Sequence, residues 1–211
     1  MTSPNPIFMK RMKGELKTIL DNKTDFVQAI PDLEDLTIFY FLIKPSDYPY
    51  KGGYYIGKIK VPLNYPATAP SFYMLTPSGR FTTNQEICLT NSRFHPEATT
   101  SAWNINSMSI AFISIFINDD TNGISHIVKT PEERLKYAED SYDYNMLHHK
   151  DIFSRFDTFV NEDLTLKSDS DIKTFLSDFE MQKKKSRSKS RSKSSKQSDL
   201  DKVVDLDKVI E

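Results

Sequence analysis

Apolar positions along this chain change their period several times, and each change predicts an element. Met9, Met12, Leu16 and Ile19 fall three or four apart, the one-face spacing of an amphipathic helix. Asn5-Pro6 predicts where that helix starts, with an Asn cap and Pro at the first helical position. Leu36–Ile43 is instead a dense run of β-favouring residues, and the Pro-, Gly- and Asp-containing residues 44–53 after it read as a turn. Tyr54–Val61 alternates in places and stops at Pro62, and Ser71–Leu75 is a short run closed by Thr76-Pro77. Strands joined by turns, with no helix between them, predict an antiparallel meander and not the βαβ units of a parallel sheet. The sheet is read as four-stranded.

Residues 76–103 lose regular period around Pro77, Gly79 and Pro96. A loop so long inside a compact domain is usually functional. Helical spacing resumes over Asn104–Asn118, where Ile105, Met108, Phe112, Ile115 and Phe116 share a wide face that predicts a central, buried helix. Thr130-Pro131-Glu132-Glu133 is a capping box that opens a polar helix to about Asn145, and Asp151–Phe159 predicts another. Ile172, Phe175, Leu176 and Phe179 give residues 168–180 one apolar face, which docks on the domain's own core or on a partner. The class is α+β: an N-terminal helix, a four-stranded antiparallel meander, a long loop and C-terminal helices.

Charge divides the chain further. Residues 1–182 carry 18 Lys/Arg against 24 Asp/Glu, residues 183–198 carry eight bases and no acid, and residues 199–211 carry two bases against five acids. Lys183–Lys196 reads KKKSRSKSRSKSSK, which has nothing to bury and predicts disorder. The hexapeptide DLDKVV/DLDKVI follows it twice, too few copies for a solenoid. The expected organisation is a domain over 1–160, an acidic extension with an amphipathic helix over 161–182, and a disordered tail over 183–211. Nucleic-acid binding is not expected of the acidic domain, and in the tail it would be salt-sensitive and nonspecific.

Composition excludes several chemistries. The chain has 211 residues and one cysteine, Cys88, so it has no intramolecular disulfide framework, cysteine zinc finger or CxxC redox pair. Its four histidines show no HExxH spacing. No apolar run approaches the ~20 residues that a spanning helix needs, and the N-terminus shows no signal-peptide pattern, so a soluble protein in a reducing compartment is expected. Cys88 stands between Ile87 and Leu89 within the irregular region. It is either a small buried hydrophobe or a thiol that borders a groove and acts as a nucleophile. His95 is close in sequence, and spacing alone neither supports nor excludes a Cys–His pair.

A resemblance takes this further. Pro49-Tyr50-Lys51-Gly52-Gly53, Val61-Pro62, Tyr65-Pro66, Pro70 and Ile87-Cys88-Leu89 occur in the order found in ubiquitin-conjugating enzymes, and residues 7–160 resemble their catalytic domain. More narrowly the chain resembles a non-standard branch whose known members are anchored in the endoplasmic reticulum. The residues that carry this are Gly52-Gly53-Tyr54-Tyr55, Tyr73-Met74-Leu75-Thr76-Pro77-Ser78-Gly79-Arg80-Phe81, Cys88-Leu89-Thr90, Phe94-His95-Pro96-Glu97 and Ala102-Trp103. The resemblance implies that Cys88 accepts ubiquitin from the activating enzyme as a thioester and passes it to substrate lysine, or to Ser/Thr. It implies no metal or organic cofactor, with ATP used by the activating enzyme. The implied partners are ubiquitin, that enzyme, a ubiquitin ligase and substrate proteins. Lys10, Arg11, Lys13 and Lys17 would dock the activating enzyme, or are simply a solvated helix face. Pro62, Ala67 and Ala102 fall on the ligase-docking surface.

Departures from the pattern qualify those roles. Ser78 stands where the branch has an Asn that supports the oxyanion or its loop. Either Ser78 substitutes, another donor has taken over, the enzyme is slow, or Ser78 only shapes a turn before Gly79. Ala67 replaces a Phe of the ligase-docking surface, Thr99 replaces a Trp, and the branch's C-terminal membrane anchor does not appear. His95 is a base for the incoming nucleophile or a neutral structural residue of its loop. Asp119 and Asp120 form an acidic gate or a solvated helix end. The competing function is a catalytically weak ubiquitin-binding variant that acts as an interaction module.

Overall fold

Alternation along the two middle strands sets up the architecture, which a computed structural model describes for residues 6–88, 102–118 and 123–191, with side chains given as far as 186. In β2 (Ile38–Ile43), Phe39, Phe41 and Ile43 point to one face of the sheet and Leu42 to the other, and all four are fully buried. A strand so apolar on both sides needs cover on both faces. The chain supplies it.

The sheet has five strands in the order β1-β2-β3-β4-β5, each antiparallel to its neighbour: β1 (Val27–Pro31), β2, β3 (Tyr55–Lys60), β4 (Ser71–Met74) and the very short β5 (Glu86–Ile87). The meander is therefore as expected, with one strand more than the four read from sequence. Phe41 lies opposite Gly57 in the β2–β3 register, and its ring fills the space above that glycine. A Cβ on Gly57 would lie 2.1 Å from Phe41 Cζ, so the residue is glycine for lack of room. Phe41 also meets Phe112 edge-on at 5.0 Å between ring centroids, which locks sheet to helix.

On that face lie α1 (Pro6–Asp21) and α2 (Ile105–Ile117). Phe8, Met12, Leu16 and Ile19 of α1, and Ile105, Met108, Phe112 and Phe116 of α2, are buried in one cluster with Phe39, Phe41 and Phe72. Asn104 caps α2 through the Ser107 N–H, and the Ser107 side chain reciprocates. The expected start of α1 at Asn5 lies outside the described residues. Thr130 caps α3 (Pro131–His148) in the expected capping box.

The opposite face packs Ile30, Leu42, Tyr54 and Ile56 against Phe153, Phe156, Phe159 and Ile172. The helix expected over Asp151–Phe159 is only α4 (Lys150–Phe153). Beyond it the Phe156 N–H bonds back to Phe153 O and the Phe159 N–H to Phe156 O, three-residue steps that turn all three rings under the sheet. The last helix, α5 (Asp169–Arg191), docks on this core through Ile172 and runs into the basic tract. The disorder expected from Lys183 onward is therefore corrected as far as Arg191. Polar and cation–π contacts add to the Ile172 packing: Lys44 Nζ pairs with Asp169 at 2.6 Å, Lys167 Nζ lies 4.1 Å from the ring centroid of Phe175, Lys23 Nζ lies 5.0 Å and 5.2 Å from those of Phe175 and Phe179, and Lys183 Nζ donates to the Asp21 carbonyl. Cations at a helix C-terminus also suit its dipole. The rest of the tract and the hexapeptide repeat lie outside the described residues. Among the described residues no helix is long and apolar enough to cross a membrane.

One buried carboxylate joins the layers. Glu15, 1% exposed, accepts from Arg11 Nε at 2.7 Å, from the Tyr65 hydroxyl at 2.8 Å and from the Ile105 N–H at 2.7 Å. Burial, and then the Glu15 charge, push the Tyr65 phenol well above its usual range. Burial works against the Arg11 charge, but contacts with Tyr65 and Glu15 outweigh it and leave the guanidinium pKa raised. Removing the acid while leaving its donors buried costs several kcal/mol. Glu15→Ala is expected to lower unfolding stability by about 3 kcal/mol, read as a fall in the urea midpoint at unchanged slope. A loss below about 0.5 kcal/mol, the level of an ordinary surface substitution, would show that the network is dispensable.

Candidate active site

Cys88 follows β5 directly and is half-buried. Its own N–H donates to the Ile124 carbonyl at 3.4 Å, which ties it to residues 123–127. That segment is in turn zipped to the stretch after β4. The Thr82 N–H reaches Ser125 O at 2.8 Å, the Ile127 N–H reaches Arg80 O at 3.1 Å, and Phe81 bridges His126. Two irregular pieces of chain thus form a short ribbon beside the thiol.

A tight turn leads into the ribbon. Ser78 is fully buried, and its Oγ accepts from the Arg80 N–H at 3.3 Å. That bond closes the turn. Gly79 follows at φ +70°, and a Cβ there would lie 3.0 Å from both Arg134 Cγ and Tyr137 Cδ2 of α3. Glycine serves twice here, for its backbone conformation and for the closeness of α3. Arg134 Nε also donates to the Gly79 carbonyl at 3.3 Å. Arg80 turns inward and is only 2% exposed. Its Nη2 donates to the Asn118 carbonyl at the end of α2 at 2.7 Å, its Nη1 lies 3.5 Å from His126 Nδ1, and its guanidinium covers the Phe81 ring at 4.9 Å.

The other expected site residues divide into three groups. His95, Thr99, Asp119 and Asp120 lie outside the described residues. Pro62 is half-buried, while Ala67 and Ala102 are exposed. These three share one end of the molecule, because Arg11 Nη2 donates both to the Tyr65 hydroxyl at 3.1 Å and to the Trp103 carbonyl. Exposed Leu63 and Trp103 flank them. On α1, Lys10, Lys13 and Lys17 are exposed along one side. Arg11 is not a free docking cation of that row: its guanidinium is engaged by Glu15, Tyr65 and Trp103. A residue four before a carboxylate on a helix meets it, and this i,i+4 spacing was the available signal. His126 and Gly123 were missed as site residues, and Arg80 was read only as part of a motif. Nothing in their spacing relates them to Cys88.

Comparison with known proteins accords with this geometry. The profile described as "Ubiquitin-conjugating enzyme" matches residues 11–117. The chain is 31% identical over 156 residues to "Ubiquitin-conjugating enzyme E2 6" of Schizosaccharomyces pombe, covering 72% of this chain and 67% of that protein. It is 36% identical over 129 residues to "Ubiquitin-conjugating enzyme E2 32" of Arabidopsis thaliana, covering 61% of this chain and 41% of that one. It is 33% identical over 143 residues to "Ubiquitin-conjugating enzyme E2 J2-like" of Dictyostelium discoideum, covering 67% and 84%. The matched stretch thus spans from 41% to 84% of the length of these relatives. With its profile match over half the chain and its meander, α2 and cysteine turn arranged as described, the chain belongs to the ubiquitin-conjugating enzyme family.

Proposed function

We propose that Cys88 is the acceptor thiol of a ubiquitin-transfer reaction. The observation that carries this reading is the position of the only cysteine. It sits half-buried directly after β5, tied by its N–H to the Ile124 carbonyl, in a chain of this family. The Cys88 thiolate attacks the carbonyl carbon of the ubiquitin thioester carried by the activating enzyme. That enzyme's thiolate departs and is protonated, and ubiquitin is now held on Cys88. A substrate amine then adds to the same carbonyl, loses a proton and expels the Cys88 thiolate, leaving an amide. Each addition passes through an oxyanion that needs donors. No metal or organic cofactor takes part, and ATP is consumed by the activating enzyme.

The same reading assigns the surfaces. Exposed Lys10, Lys13 and Lys17 dock the activating enzyme. Pro62, Ala67 and Ala102, with Leu63 and Trp103 beside them, receive a ubiquitin ligase. With Ala67 in place of an aromatic, ligase contacts at this surface are weak, and Ala67→Phe strengthens them. The protein works in solution, in the cytoplasm or nucleus.

Charging is the direct test. Activating enzyme, ATP and ubiquitin are expected to give a thiol-sensitive adduct on the wild type and none on Cys88→Ala. Cys88→Ser should give a slower, thiol-resistant, hydroxide-labile ester. Equal adduct on Cys88→Ala would sink the reading. Wild type that binds ubiquitin without charging would favour the weak-binding alternative, to which the loss of the Asn at position 78 lends some support.

The choice of nucleophile is a second prediction. A lysine amine and a serine hydroxyl must each lose a proton, and the hydroxyl needs the closer base. With His95 as that base, charged enzyme is expected to discharge onto free serine or threonine as well as lysine. His95→Gln should slow the hydroxyl reaction by ~10-fold or more, within the general-base range, and leave charging intact. Discharge onto lysine alone would remove the hydroxyl assignment.

A further inference from the structure

Helix α5 carries the start of the basic tract as helix, and it meets α1 at that point. Lys183 Nζ donates to the carbonyl of Asp21, the last residue of α1. A helix leaves its last four carbonyls without an internal partner, and a cation there also suits the dipole. One turn earlier on α5, Phe179 lies under Lys23 Nζ at 5.2 Å from the ring centroid. The basic end of α5 therefore begins where α1 stops.

Both stretches carry bases with no exposed acid among them. From Pro6 to Leu20 the bases are Lys10, Arg11, Lys13 and Lys17, and the single acid, Glu15, is buried and paired with Arg11. At 3.6 residues per turn, Lys10, Lys17 and Asp21 fall within about 40° of one line along the helix, with Lys13 about 60° to one side. The three lysines are exposed, and their row ends at the residue that Lys183 holds. On α5 the last acid is Glu180, which pairs with Lys183 at 3.3 Å. Beyond that pair the helix adds Lys184, Lys185, Arg187, Lys189 and Arg191. Lys184 and Lys185 are exposed. Lys17 lies one turn before Asp21, about 6 Å along the axis. The two stretches are thus separated by a distance of the order of the Debye length, ~10 Å at 0.1 M salt, and their fields add.

The rest of the domain has the opposite sign. Residues 1–182 carry 18 bases against 24 acids even with α1 included. A basic face on an acidic body orients an approaching acidic surface. Charges held on a helix at set spacing suit a folded partner, whereas a long polyanion would also meet the repelling acids of the domain.

We propose that the basic end of α5 extends the α1 lysine row into one docking surface, whose occupant is an acidic face of the activating enzyme. The inference rests on the reading of Lys10, Lys13 and Lys17 as docking that enzyme, and it adds the bases of α5.

Docking is measured apart from chemistry, on the full chain with Cys88→Ala as parent, against immobilised activating enzyme that carries ubiquitin as its own thioester. Lys184→Gln, Lys185→Gln and Arg187→Gln together are expected to weaken binding by ~10-fold at about 0.1 M salt, mainly through slower association. The difference should vanish at about 1 M, where the Debye length falls to ~3 Å. Lys184→Arg with Lys185→Arg keeps the charge and should bind as the parent does. Ser186→Pro keeps every base but breaks the helix after Lys183, and a loss of ~3-fold is expected once the array is no longer fixed. Lys10→Gln, Lys13→Gln and Lys17→Gln together separate the two readings. If this α1 triple binds as the parent does, the assignment of α1 fails and the joint surface with it. If the α1 triple weakens binding and the α5 triple does not, α1 docks alone and the present inference is overturned. Parent-like binding by Ser186→Pro would overturn the fixed surface. Single-stranded RNA that binds the parent but not the α5 triple, with enzyme docking unchanged in that triple, would make the tract a polyanion site and overturn the proposal as well.

Discussion

The carboxylate of Glu15 is the constraint on which the other parts turn. A charge buried to 1% exposure inside an apolar layer is unstable unless its oxygens are fully occupied, and three donors from three parts of the chain occupy them. One is the first N–H of α2, where the helix dipole adds to the hydrogen bond. The N-terminus of α2 is thereby pinned to α1 and to the Tyr65 strap. At its other end α2 delivers the Asn118 carbonyl to Arg80. The helix acts as a rod between two charged clamps, one beside the proposed ligase surface and one beside the cysteine.

Packing explains why such a rod stays in register. Phe112 sits at the centre of α2 and meets Phe41 at 5.0 Å, while Phe41 itself lies in the space left by Gly57. A rotation or slide of α2 would pull Phe112 out of this stack. The opposite face of the sheet is closed separately by the three phenylalanines after α3 and by Ile172 of α5. The sheet is therefore held between two cores, and the loops at its end inherit that rigidity.

Legibility in the sequence followed the range of the interaction. β2, β3, α2 and the capping box of α3 were readable because period and caps are local. β1 was not, since Gln28 interrupts its apolar run and Pro31 reads as a turn; its stability comes from pairing with β2. β5 is too short to have a period at all. The basic tract has no core-forming residue, yet α5 continues into it, and Lys183 at its start reaches the Asp21 carbonyl, a contact no composition rule contains. At the site, the motif that carries the family resemblance located Cys88 and the Ser78–Phe81 turn. His126 belongs to no motif and meets Arg80 only after two distant segments pair. The contacts of Arg11 with Tyr65 and Trp103 were hidden for the same reason, both partners being remote in sequence.

The serine at position 78 illustrates how a departure from a family pattern should be weighed. Counted as a lost amide, it removes one donor from an oxyanion, a serious loss if nothing replaces it. Placed in the structure, it is a fully buried hydroxyl whose oxygen holds the Arg80 backbone. The turn it stabilises also presents Gly79 to α3, where Arg134 holds the carbonyl. Serine is thus fitted to a backbone role, and that role fixes where the Arg80 guanidinium goes. From there the guanidinium reaches both the end of α2 and the His126 imidazole. What the position contributes in this fold is the placement of a cation two residues later, and the hydroxyl that accepts from the Arg80 N–H keeps its own proton for another acceptor.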